Sequence, residues 1–83
     1  MTSRTQIIED AVHCAHLFRL GRDIEGALKM VDVMDAAMPL FSARPIEDQA
    51  HLARIMRAIL QSQECQDWLA VADALEYELV AIV

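Results

Sequence analysis

The sequence is poor in residues that turn a chain. It holds two glycines, two prolines and four aromatic residues in 83 positions. A β-sandwich or barrel needs frequent turns, so that class is excluded and long regular elements are expected. Basic residues are few as well, seven against 13 acidic ones, for a formal net charge of −6. Such a surface repels a phosphate backbone and an anionic membrane leaflet, so neither nucleic acid nor membrane is the expected partner. The two cysteines, Cys14 and Cys65, form no CxxC pattern. The opening MTSRTQ has no apolar leader core, and no apolar run approaches the roughly 18 residues of a membrane span. A cytoplasmic protein with reduced, packed thiols is expected.

More than half of the residues are apolar, chiefly Ala, Leu, Ile, Val and Met. That suffices to offset ordering entropy, so disorder is not expected. A chain of this length holds one core, hence a single domain over 1–83.

Four segments carry helical periodicity. From about Thr5 to Leu20, Ile7, Ala11, Cys14 and Phe18 share a face, with Ser3 and Gln6 or Thr5 at the cap and Gly21 as the stop. From about Asp23 to Leu40, the spacing assigns Ile24, Ala27, Leu28, Val31, Met34 and Met38 to the core, and Pro39 and Pro45 bracket the exit. From about Pro45 to Ser62, Leu52, Ile55, Met56, Ile59 and Leu60 face one way. From about Gln66 to Val83, Trp68, Ala72, Leu75, Leu79 and Ile82 recur at heptad spacing. The break QSQECQD before the fourth lacks Gly and Pro, which leaves open two helices or one bent helix. The expected fold is an all-α up-down bundle of four helices, built as two antiparallel hairpins.

No enzyme constellation is visible: there is no GxSxG, no phosphate-cradling glycine loop and no HExxH. HCAH, His13 to His16, places a thiol between two histidines, but Cys14 belongs to the core side and no second ligand cluster follows, so no metal is expected. No cofactor is implied either. Asp73, Glu76 and Glu78 read as a solvated face able to meet Arg54 or Arg57 across the bundle. Asp35 falls inside the apolar sector of the second helix, where a lone buried carboxylate is costly. Either it pairs with an arginine, the expected case, or that stretch is open to solvent or a partner.

Apolar residues exceed what one-sided packing needs. Met30, Val33, Ala37, Leu40 and Phe41 lie beyond the second helix's assigned stripe, and Leu69, Val80 and Val83 beyond the fourth's. Either the second helix is central and packed all round, or these residues form a groove for a partner or a second copy. Met30, Val33, Leu40, Phe41, Leu69, Val80 and Val83 are accordingly the candidate partner-binding residues. The apolar stripe of DWLAVADALEYELVAIV runs to Val83 and requires docking, on the bundle or on another molecule, so a homodimer through the last helix is a further expectation.

The segment LFRLGRDIEGALKMVDVMDAAMP, 17–39, resembles a tetratricopeptide hairpin, with Gly21 in the turn and Ala27, Val31 and Pro39 at that family's small, bulky and helix-ending positions. Met34 is larger than its pattern wants, and one hairpin is not a solenoid. The segment DWLAVADALEYEL, Asp67 to Leu79, resembles the last helix of small helical proteins of bacterial flagellar and type III export systems. That resemblance implies a short bundle holding an export substrate's helix in an apolar groove; no binding residue carries over individually. The expected function is thus a non-enzymatic interaction module, a small chaperone or adaptor for a secreted or flagellar protein. The alternative is an acidic immunity protein that blocks a toxin through Asp73, Glu76 and Glu78; the third is a structural homo-oligomer.

Overall fold

A computed structural model describes residues 3–83. Within them the chain forms α1 (Arg4–Arg19), α2 (Asp23–Ser42), α3 (Ile46–Glu64) and a last helix, with no strand. The last helix opens as α4 (Trp68–Asp73), widens into a π-helical stretch (Ala74–Leu79) and closes with the short α5 (Val80–Ile82). The fold is the expected small all-α bundle.

Local chemistry sets the boundaries. The Ser3 hydroxyl accepts the Gln6 N–H at 3.1 Å and satisfies a free donor of the first turn of α1. Gly21, at φ 75°, makes the left-handed turn into α2. Pro39 does not end α2; the helix runs through it to Ser42, whose hydroxyl donates to the Pro39 carbonyl at 2.8 Å. α3 and α4 are separate helices. Gln66 takes the left-handed conformation at φ 56° between them, and the Asp67 carboxylate accepts the Ala70 N–H at 3.2 Å to start α4. A glutamine thus fills the turn where Gly would be expected.

α1 is the central helix. It packs on α2 along one side and on the last helix along another, while α3 packs on the last helix. The core joins Ile7, Ala11, Cys14 and Phe18 of α1 to Leu52, Ile55 and Ile59 of α3 and to Val71, Leu75, Leu79 and Val83. In the last helix the buried residues Val71, Leu75, Leu79 and Val83 recur every four positions. The wider π turn keeps that row facing inward where a regular α-helix would let it drift.

The core face of α2 is opposite to the expected one. Gly26, Met30, Val33, Ala37 and Phe41 are buried, whereas Ile24, Leu28, Val31 and Met38 are exposed. The physical reason is close approach. A β-carbon on Gly26 would stand 3.0 Å from the Phe18 ring, so the row containing Gly26 and Ala37 is the one on which α1 can seat. Two-sided burial of α2 does not occur.

The end of the last helix docks on its own bundle: Val83 is buried and Val80 and Ile82 are half-buried. Arg44, in the turn after α2, donates to the backbone oxygens of Ile82 and Val83, and its guanidinium lies 4.4 Å from the Phe41 ring centroid. These contacts dock the apolar stripe that runs to Val83 on the chain's own bundle.

Candidate functional site

The surface of interest is the face that α2 and α3 share away from α1 and the last helix. These two are the most loosely associated of the sequence-adjacent helices. They turn back on each other at Ala43–Pro45, where the Gln49 amide donates to the Arg44 carbonyl at 3.0 Å. Beside that turn lies an open apolar cleft of about 240 Å³. Met38 and Phe41 wall it from α2; Leu52, Ala53 and Met56 wall it from α3, with Gln49 at one end.

The cleft continues into a row along α2. Ile24, Leu28, Val31, Asp35 and Met38 follow one another at steps of four and three, the spacing of a coiled-coil seam. The four apolar members are 54% to 74% exposed. On α3, Ile46, Ala50, Ala53, Arg57 and Leu60 repeat the same steps and are all exposed. Each row carries one charge, negative on α2 and positive on α3. Half-buried Met34 and Met56 lie between these rows and the core.

Of the candidate partner-binding residues, Met30, Val33, Phe41 and Val83 are core residues, and Leu40 and Val80 are half-buried against the core. Leu69, 65% exposed, is the member that lies on the surface. The correction follows from the reversed face of α2: residues read as spare are packed, and those read as packed are spare. Phe41 reaches the cleft only as part of its wall. The signal that separates the faces was present in Gly26 and Ala37, whose small side chains mark the row of closest approach.

Asp35 is exposed and forms no ion pair among the described residues, so the expected pairing with an arginine is not found there. Arg54 and Arg57 do not meet Asp73 or Glu76 either. Those carboxylates converge on Arg19 at the end of α1, Asp73 at 2.9 Å and Glu76 closer still. The Asp73 hydrogen bond, ahead of the Glu76 contacts, holds the Arg19 guanidinium further above its usual range, with partial desolvation opposing. Glu78 remains exposed.

The remaining chemistry is structural. Cys14 is buried and its thiol donates to the Gly26 carbonyl at 3.2 Å; burial pushes its pKa up to about 12, with Lys29 pulling slightly the other way. His13 and His16 are exposed on the far side of α1. Among the described residues no three His, Cys, Asp or Glu side chains gather at one point, and no helix is long and apolar enough to cross a membrane. Comparison of the chain with protein families, curated proteins and solved structures found no match.

Proposed function

We propose that this chain is a non-enzymatic protein–protein interaction module that takes an amphipathic helix of another protein on its α2–α3 face. One observation carries the reading: the exposed row Ile24, Leu28, Val31 and Met38 runs straight into the apolar cleft between Met38 and Met56. An apolar row at seam spacing is the surface a helix lays its own apolar face against. Methionines at the cleft suit partners of varied shape, because their unbranched chains repack at little cost. The module would act as an adaptor or small chaperone. That its client is a secreted or flagellar protein rests on the resemblance of the segment Asp67 to Leu79 alone. The toxin-blocking alternative has less support, since Asp73 and Glu76 are engaged by Arg19 and only Glu78 of that trio stands free of it.

The test is affinity capture from the native host with the intact chain, beside the variants Leu28→Glu with Val31→Glu and, as a control on another face, Leu69→Glu. The client should be lost with the α2 pair and kept with Leu69→Glu, and it should survive high salt. Capture indifferent to the α2 pair would sink the reading, and capture abolished by salt and by Glu78→Gln would favour the toxin-blocking one.

A further inference from the structure

We infer that the α2–α3 face is self-complementary and that, without a client, two copies of this chain pair through it about a two-fold axis parallel to the helices, α2 of each seated on α3 of the other. The inference rests on the proposed reading only in using the same face; its partner is different, and it stands or falls by a separate measurement.

The first support is charge: the exposed row of α2 carries one acidic residue, Asp35, and that of α3 one basic residue, Arg57, each among apolar neighbours. The second is level. The cleft sets Met38 and Ser42 opposite Gln49 and Ala53. Counting back along α2 and forward along α3 at equal rise, about 1.5 Å per residue, puts Asp35 level with Met56 and Arg57, and Val31 level with Leu60. A two-fold axis parallel to the helices preserves these levels and lays Asp35 against Arg57 of the partner subunit.

The third is the rims. Asp32 lies one row outward from Asp35, on the side of α2 away from α3. Arg54 lies one row outward from Arg57, on the side of α3 away from α2. The same axis brings these two rims to one edge. Asp32, Asp35, Arg54 and Arg57 form no ion pair within the chain among the described residues. The other in-plane axis, across the helices, would set α2 on α2 and α3 on α3, gathering Asp32 and Asp35 of both copies along one pair of helices and Arg54 and Arg57 along the other. Like charges facing each other disfavour it.

The area sets the strength. On these levels α2 and α3 overlap over 27–42 and 49–64, about 24 Å, and two helices side by side make a strip about 20 Å wide, roughly 500 Å² for each copy. That is below the ~800 Å² a side of an ordinary stable interface. A reversible dimer of roughly micromolar affinity is expected, weak enough for a client helix to displace.

Sedimentation equilibrium on the whole chain tests this, at about 0.15 M salt so that the net charge of −6 on each copy is screened beyond roughly 8 Å. The chain should be dimeric at about 100 µM. Asp32→Arg with Asp35→Arg, and separately Arg54→Glu with Arg57→Glu, should each raise the dissociation constant about tenfold or more. An equimolar mixture of the two variants should regain the affinity, because both α2–α3 contacts then join opposite charges. All four positions are exposed, and circular dichroism confirms that each variant is folded. A monomer at 100 µM, a dimer indifferent to both double substitutions, or a mixture no tighter than its components overturns the inference. None of these outcomes bears on client capture, which the Leu28 and Val31 substitutions read separately.

Discussion

Gly26 lies against the ring of Phe18 so closely that a β-carbon there would stand 3.0 Å from two ring atoms. The ring has little room to retreat, because its other neighbour is Trp68, stacked at 5.8 Å between centroids. This contact seats α2 on α1 and leaves the Ile24–Met38 row outward. Gly26→Ala sets two effects against each other. Alanine gains about 0.5–1 kcal/mol of helix propensity; overpacking costs about 1–3 kcal/mol. The steric cost should win, with a net loss of about 1 kcal/mol in urea unfolding. A variant as stable as the parent would mean that α1 and α2 can move apart freely at this contact.

The two faces of α2 make opposite predictions for similar side chains. Val33 is 1% exposed and Val31 is 57% exposed. Val33→Ala should cost about 1–3 kcal/mol through lost burial and a residual cavity. Val31→Ala should stay within about 0.5 kcal/mol, as surface changes do. The comparison needs only two denaturation curves. Equal losses would mean that α2 is packed on both sides, as in a central helix.

The contrast also marks what was legible in the sequence. The inward row of α1, with Ile7, Ala11, Cys14 and Phe18, and that of α3, with Leu52, Ile55 and Ile59, read directly from periodicity because each helix has one apolar face. α2 has two, on opposite sides. Hydrophobicity favours the row with Ile24, Leu28 and Val31, yet packing selects the row with Gly26 and Ala37, since it admits Phe18. A helical wheel measures transfer from water and is blind to how near a neighbour can come. In the last helix the wheel also assumes α-helical pitch; the π stretch carries the buried row to Val83 in place of Ile82. Asp35 stands in the exposed row for the same reason. Its presence among Ile24, Leu28 and Val31 is a sign that this sector meets water, and the aliphatic residues around it outweigh that sign on a wheel.

Two turns use the left-handed conformation with different residues, which gives a paired test. A β-carbon added to Gly21, at φ 75°, would meet nothing within 4 Å, so Gly21→Ala introduces backbone strain alone and should cost about 1 kcal/mol. Gln66 at φ 56° already bears that strain. Gln66→Gly should relieve it, offset in part by the extra freedom of the unfolded chain, for a gain of about 0.5 kcal/mol. Thermal unfolding of both variants should shift in opposite directions. A loss of stability in Gln66→Gly would mean that the glutamine side chain contributes more than its backbone costs.

The cysteines should differ sharply in reactivity. Cys65 is exposed and Cys14 is buried with its thiol bonded to Gly26. A disulfide-exchange reagent at pH 8 should titrate one thiol in the native chain and two in denaturant. The raised pKa of Cys14 also makes stability depend on pH. In the unfolded chain this thiol ionises near the ordinary value of 9.0, while in the folded chain it stays protonated to about 12. Between those values the folded state holds one more proton than the unfolded state, so stability falls as pH rises through that window and is fully present below it. Cys14→Ala should be less stable at pH 7 because of the cavity it leaves, yet should lose less stability than the parent between pH 8.5 and about 10.5. Parallel pH slopes in the two proteins, or two thiols reacting at equal rates in the native state, would show that Cys14 is not held in the closed environment between α1 and α2.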